Sequence, residues 1–403
     1  MKTLAQELFE AYFEARQNKR NTYNALHFEM QFESNVLQLA KEIETGTYRL
    51  SRSICFLVQY PVIREIFAAD FRDRVVHHYL IAKLNPLFER TFIPDAYACR
   101  KEKGTHYGIQ RMERHIRKCS LQYTQDCWIL KLDIQGFFMN IPRPVLWEKL
   151  KEFILEKYQA DDKERLLQLF HQIVHHDSSQ HCIIKGDKRE WNKVPANKSL
   201  FTTAPDCGLP IGNLTSQILA NFYLNELDHW ILKKIAPKGY YGRYVDDFII
   251  VHPDPFFLKD LRIEIQNFLK EKLQLTLHPK KIYLQHYSKG VRFLGAVIKP
   301  HRVYVQNRTV GQFIKKMKAW MRSYPEWKED AEKRKEFIAC LHSYLGILQH
   351  YKTFRLTEKI ISREILPFLK NDNEILFRTK LKDWVFHLKT TPSRFKRDRS
   401  RLG

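Results

Sequence analysis

Tyr240-Tyr241-Gly242-Arg243-Tyr244-Val245-Asp246-Asp247-Phe248-Ile249-Ile250-Val251-His252 is the stretch from which the fold is read. Residues 240–244 and 248–252 are strand-like runs, and Val245-Asp246-Asp247 lies between them, so the pattern is a hairpin with two acids at its tip. Adjacent acids in a turn mean little alone, because Asp favours turns. Their meaning changes with a third acid. Residues 128–133 (WILKLD) form another strand-like run, and it closes on Asp133. Nucleotidyl transfer can be run by two divalent ions about 3.5–4 Å apart, which make a 3′-hydroxyl nucleophilic and stabilise departing pyrophosphate. Magnesium prefers hard oxygen ligands, usually one or two carboxylates plus substrate phosphates. Asp133, Asp246 and Asp247, delivered from separate strands, have the chemistry for that task.

The composition agrees. The chain has 403 residues, enough for two to three structural units, and 44% of them are hydrophobic, as in a globular protein. Against 45 Asp and Glu stand 68 Lys and Arg, a net charge of +23. Such an excess repels itself unless a polyanion binds, and nucleic acid is the first candidate, ahead of an anionic membrane surface. From His301 onward there are 24 Lys and Arg against 11 Asp and Glu, so the last quarter carries more than half of the excess. The seven cysteines are scattered without CxxC spacing, which excludes a zinc ribbon or a disulfide framework and suits a reducing cytoplasm. There is no 18-residue apolar run and no signal-peptide pattern, so a soluble protein with no membrane association is expected. His77, His78, His175, His176 and His181 have no HExxH or Cys partner and are not read as zinc ligands. No Gly-rich phosphate loop is present.

Periodicity predicts helices over residues 4–15, 32–44, 145–158, 215–235 and 258–273, and a strand followed by a basic helix over 63–84. Residues 177–199 are polar and loop-rich and are expected at an edge. Short strands are expected at 291–297 and 302–305. Beyond Arg308, Val310, Phe313, Ile314, Met317, Trp320 and Met321 share one helical face, with lysines elsewhere.

Four ordered segments resemble those of reverse transcriptases. Tyr244-Val245-Asp246-Asp247 looks like their YxDD box, and Leu132-Asp133-Ile134-Gln135-Gly136-Phe137-Phe138 is similar to their first catalytic carboxylate segment. Gly208-Leu209-Pro210-Ile211-Gly212-Asn213-Leu214-Thr215-Ser216-Gln217 resembles the nucleotide-pocket segment, and Lys289-Gly290-Val291-Arg292-Phe293-Leu294-Gly295 the last palm segment. Most of these enzymes carry Gln at the position of Ile211 and Pro at that of Gln217. The form found here resembles the reverse transcriptases of diversity-generating retroelements, as does the run from Arg64 to His78.

That resemblance implies an α+β right-hand polymerase fold: an N-terminal helical extension (1–54), fingers and palm (55–300), a basic helical thumb (301–388) and a basic flexible tail (389–403). It implies an RNA-directed DNA polymerase that copies a template-repeat RNA into cDNA with errors at template adenines, for targeted sequence diversification. Its partners would be the RNA template, the cDNA or primer, deoxynucleoside triphosphates and a small oligomeric accessory protein. Two Mg²⁺ ions, replaceable by Mn²⁺, would be held by Asp133, Ile134, Asp246 and Asp247. Lys281 resembles the lysine that protonates pyrophosphate, with Lys280 a close competitor. Arg64, Gly136, Phe137, Phe138 and Ile211 would bind the nucleotide, with Gln217 also in the pocket. Phe138 would exclude a 2′-hydroxyl, and Ile211, which can only pack, would loosen selection relative to a hydrogen-bonding amide. Arg100, Lys101, Lys103 and Tyr244 would face template and primer. The alternatives are a group II intron- or retron-type enzyme, or a catalytically silent RNA-binding scaffold of the same fold.

Overall fold

The computed structural model describes residues 2–17, 22–59 and 62–369. The expected tail at 389–403, and the end of the expected thumb from 370, lie outside the described residues. The chain divides into two compact units, Met1–His286 and Tyr287–Gly403.

The first unit opens with α1 (Leu4–Arg16), α2 (Tyr23–Glu29) and α3 (Phe32–Glu44). A capping box between Thr3 and Gln6 starts α1 by satisfying amides that a helix start leaves unpaired. Val36, Leu39, Ala40 and Ile43 recur at helical spacing and form the buried stripe of α3. Both helices share one core with α4 (Phe71–Thr91), whose Val75, Val76, Leu80 and Leu84 are buried. β1 (Ser53–Val58) and β2 (Arg64–Ala68) form an antiparallel hairpin. After α5 (Thr105–Cys119) come β3 (Trp128–Asp133), the single turn α6 (Phe137–Asn140), α7 (Arg143–Lys157) and α8 (Lys163–His175). β4 (Cys182–Ile184) then pairs in parallel with β1. The expected polar, loop-rich segment at 177–199 does lie at a sheet edge, with β4 as its one short strand. Ile183 and Ile184 extend the β1–β2 sheet, and the chain beyond them stays largely exposed until Ser199 and Leu200.

α9 (Leu214–Ile235) is buried on most of its circumference, and Leu224, Leu227 and Ile231 are sealed from water. Each such side chain contributes roughly 1.5–3 kcal/mol by leaving water. β5 (Tyr240–Tyr244), β6 (Asp247–His252), α10 (Pro255–Leu273) and β7 (Tyr283–His286) complete the unit. Its main sheet is antiparallel, in the order β5-β6-β3-β7. Residues 248–252 are buried in succession, as expected of a strand covered on both faces.

The second unit begins with a three-stranded meander, β8 (Val291–Phe293), β9 (Ala296–Lys299) and β10 (Arg302–Val305). The single strand expected at 291–297 is in fact two, because Leu294 and Gly295 both adopt positive φ, +48° and +86°. Two such residues make the tight hairpin turn whose twist matches its strands. α11 (Asn307–Arg322), α12 (Tyr324–Trp327), α13 (Ala331–Leu348) and α14 (Phe354–Ile360) follow, around Phe313, Met317, Met321, Trp327, Phe337 and Leu341. No described helix is long and apolar enough to cross a membrane.

Candidate active site

Strand register brings the acids together. In the β3–β6 pair Asp133 stands directly opposite Asp247. Tyr244 pairs with Asp247 in the β5–β6 hairpin, so Val245 and Asp246 form a two-residue connection. Val245 sits at φ +57°, a left-handed conformation that is strained for a β-branched residue by about 1–3 kcal/mol. A neighbouring lattice of amides holds the turn. Ile134 N–H donates to the Asp246 carbonyl (3.3 Å), Gln135 N–H to Thr276 (2.9 Å) and His278 N–H to the Asp133 carbonyl (2.8 Å).

The acids are crowded and under-neutralised. Burial first, and the Asp133 carboxylate second, push the Asp246 carboxyl up to about 6. Burial also raises Asp247, against the pull of Lys131, whose ammonium lies 2.8 Å from Oδ2. The other oxygen of Asp247, Oδ1, is buried with no hydrogen-bond partner. Lys281 Nζ contacts both oxygens of Asp133, at 2.9 and 2.8 Å, whereas Lys280 does not reach it. Among the described residues no group of three or more His, Cys, Asp or Glu forms a ready-made metal cage. A magnesium site completed by substrate phosphates needs only one or two carboxylates. The unpartnered Oδ1, the raised carboxyls and the two lysines drawn to them fit divalent cations that arrive with substrate.

The wall beside these acids is apolar. Phe137 turns into the main core, while Phe138 is half-buried, its ring 5.6 Å from that of Phe137. Phe138 and Ile211 both pack on a cluster of Cys55, Phe67, Met139 and Leu200. Ile211 is tied to β2 through its carbonyl, which accepts from Phe67 N–H at 2.8 Å. Gly212, at φ +125°, lies so close to β2 that a Cβ would meet Ile66 at 2.8 Å. Gly136, at φ +54°, leads from Asp133 into α6. Asn213 Oδ1 accepts from Ala69 N–H, and Gln217 Oε1 from the Cys99 thiol.

The expected cationic contacts separate. Arg64 is exposed at the start of β2. Arg100 is buried, and its guanidinium donates to Glu89 and to the carbonyls of Ile93 and Ala96. The expectation that it faces template is therefore corrected: its donors are used inside the fold. Lys103 Nζ donates to the Pro94 carbonyl (2.8 Å), and Lys101 is exposed. Tyr244 is half-buried beside Cys99, and burial raises its hydroxyl.

Two groups escaped the sequence reading. Arg243 is fully buried, with Nε and Nη2 on Asp228 (2.7 and 2.6 Å) and Nη1 on Asn221 (3.1 Å) and on the Val245 carbonyl (3.0 Å). Tyr241 donates to the same carboxylate at 2.7 Å. This network braces the strained turn from beneath. Its signal was present, since an arginine within a buried strand requires a buried partner. Glu65, 1% exposed, accepts from Trp191 Nε1 (3.0 Å), Ser199 Oγ (2.8 Å) and Leu200 N–H (2.7 Å). It thereby ties Trp191 and Leu200 to the apolar cluster on which Phe138 and Ile211 pack. No local pattern announces that closure, which joins residues more than a hundred positions apart.

A family model described as Reverse transcriptase (RNA-dependent DNA polymerase) matches residues 63–298. Protein YkfC of Escherichia coli is 22% identical over 283 residues, covering 62% of this chain and 66% of that protein. A putative COX1/OXI3 intron 2 protein of Saccharomyces cerevisiae is 21% identical over 321 residues, covering 65% of this chain and 34% of that protein. The chain thus spans less than two thirds of the length of either relative. Among solved structures, telomerase from Candida albicans in complex with a fragment of telomeric RNA aligns with a TM-score of 0.46 at 12% identity, over 91% of this chain and 69% of that one. Apo telomerase from Candida tropicalis aligns with a TM-score of 0.46 at 12% identity, over 84% and 68%.

Proposed function

Because the chain belongs to the reverse transcriptase (RNA-dependent DNA polymerase) family, as the match over residues 63–298 shows, we propose that it is an active RNA-directed DNA polymerase. Its fold class is the α+β right-hand polymerase fold of that family. The observation that carries the proposal is the cross-strand pairing of Asp133 with Asp247 beside the turn residue Asp246. Two magnesium ions, with manganese as a substitute, would supply activation of the primer 3′-hydroxyl and charge neutralisation at the leaving group. Asp133, Asp246 and Asp247 would hold them, with the Ile134 backbone alongside. As the O3′–Pα bond forms and the Pα–O bond to pyrophosphate breaks, Lys281 would deliver a proton to pyrophosphate. Phe138 would lie under the deoxyribose and exclude a 2′-hydroxyl, and exposed Arg64 would clamp the triphosphate. Residues 55–300 would be fingers and palm, and the helices from 301 a thumb. Seven free cysteines suit the reducing cytoplasm as its location.

Primer extension on an RNA template with magnesium tests this reading. Extension should be abolished by EDTA and by Asp246→Asn. Extension that survives both would refute it, and RNA binding without extension would favour a silent scaffold.

The narrower proposal is error-prone copying of a template-repeat RNA, assisted by a small oligomeric accessory protein. Its support is Ile211, an aliphatic residue seated in an apolar cluster where a hydrogen-bonding amide would discriminate more strongly. Sequencing cDNA from a defined template should show errors concentrated at template adenines, and fewer in Ile211→Gln. An unchanged error profile would point to the intron-type alternative.

A further inference from the structure

A lysine stands in the middle of β3, the strand that ends on Asp133. Strand alternation puts Lys131 on the same face as Asp133, while Leu130 and Leu132 point to the other face, into the main core. Across the β3–β6 pair Lys131 faces Ile249 and Asp133 faces Asp247, so Asp247 is the diagonal neighbour of Lys131, within reach of a long side chain. The Lys131 ammonium lies 2.8 Å from Asp247 Oδ2, and both side chains are only 24% exposed. Asp247 Oδ1 is buried without a hydrogen-bond partner. The other lysine of the site behaves differently. Lys281 Nζ touches both oxygens of Asp133, at 2.9 and 2.8 Å, from a side chain that is 54% exposed. Lys281, outside the strands, covers a whole carboxylate. Lys131, held in a strand, takes one oxygen of its partner and leaves the second open.

We propose that Lys131 determines which divalent ion the site prefers: by holding one oxygen of Asp247 it leaves that carboxylate a single oxygen to offer, and so favours magnesium over calcium. The basis is the difference between the two ions. Magnesium is small, requires near-ideal octahedral geometry, and is satisfied by single oxygens from one or two carboxylates together with water and phosphate. Calcium is larger, takes about six to eight oxygens in flexible geometry, and gains from carboxylates that give both of theirs. An ammonium on Oδ2 blocks that second mode at Asp247. Because the lysine is anchored in β3, the block does not depend on where the exposed Lys281 side chain lies. The inference rests on the polymerase reading only for the presence of divalent ions at these acids, and its main test needs no catalysis.

The full-length chain, without nucleic acid, is loaded with terbium, a luminescent ion that occupies calcium-type oxygen sites, and the terbium is displaced by calcium or by magnesium. Loss of the lysine's charge should tighten both ions, so the readout is the ratio of calcium to magnesium affinity. Lys131→Met should raise that ratio by about tenfold, because calcium affinity follows the number of oxygens offered. Lys131→Arg keeps a cationic donor on Asp247 and should hold the ratio within about twofold of the wild-type value, which separates the effect from misfolding. In an Asp247→Asn background, Lys131→Met should leave the ratio unchanged, since no carboxylate remains to be released. A shift of less than about twofold in Lys131→Met, an equal rise in Lys131→Arg, a rise that persists in the Asp247→Asn background, or no saturable ion binding by the wild-type chain would each overturn the proposal. A chain whose ratio shifts as expected but which extends no primer would leave it standing and sink the polymerase reading. Primer extension by a chain whose ratio does not shift would do the opposite.

Discussion

Two charged clusters beside the same β5–β6 hairpin are built on opposite principles. Beneath the β5–β6 turn, Arg243 and Asp228 are fully buried and mutually satisfied, with Tyr241 and Asn221 using their spare hydrogen-bonding capacity. At the tip of that turn, Asp133, Asp246 and Asp247 are crowded, with raised carboxyls and an unpartnered oxygen. The first cluster is closed and can only hold structure. The second is open and gains by accepting cations. The difference separates satisfied charge from open charge within a few residues of one strand. Arg100 on Glu89 is a second closed case, although its sequence suggested an open one.

The sharpest way to break this contrast is to neutralise the open cluster. Asp246→Asn should cut primer extension by at least about 10³-fold, as expected when charge stabilisation of the transition state is lost. Its melting temperature should hold or rise, since like-charge crowding is relieved. A large fall in melting temperature would show that the acids are structural. Opening the closed cluster should do the reverse. Arg243→Met leaves Asp228 buried without its cation and should cost about 3–5 kcal/mol in chemical denaturation. Pairing it with Asp228→Leu should recover much of that loss. If the double variant were no better than the single one, the cluster would not be a closed pair.

Acidity provides a gentler probe. Asp246 titrates near 6 in the fold, above its ordinary 3.8. Between these values the folded chain holds a proton that the unfolded chain has released. Without metal, stability should therefore increase as pH falls from about 6 towards 3.8. Extension at low magnesium should decline as pH falls through about 6, because only the ionised carboxylate binds the ion. Saturating magnesium should move that inflection downward. An inflection insensitive to magnesium would assign it to another group. The smallest effect belongs to Glu65→Ala, which orphans three donors at roughly 1–3 kcal/mol of stability. It should raise KM for the deoxynucleotide several-fold while moving kcat less, because Trp191 and Leu200 would no longer be tied to the apolar cluster on which Phe138 and Ile211 pack. Equal falls in both constants would deny that role.

Residues 128–133 and 240–252 were readable because apolar strand runs and turn acids are local patterns. The helices of residues 32–44 and 215–235 were readable from their periodicity. Within the polar edge segment 177–199 the strand β4 was not legible because it owes its place to pairing with β1, and Trp191 and Ser199 owe theirs to Glu65. The 291–297 run was misjudged because its alternation continues across a two-residue turn, and only the backbone angles of Leu294 and Gly295 reveal the break.

The order of residues alone determined which groups could bear charge, which runs had to be buried, and that acids would end β3 and stand at the turn after β5. The tertiary structure decided which of those charges were closed by partners and which were left open. That choice depends on contacts between positions far apart in the chain, where burial makes an unpaired charge costly and a paired one silent.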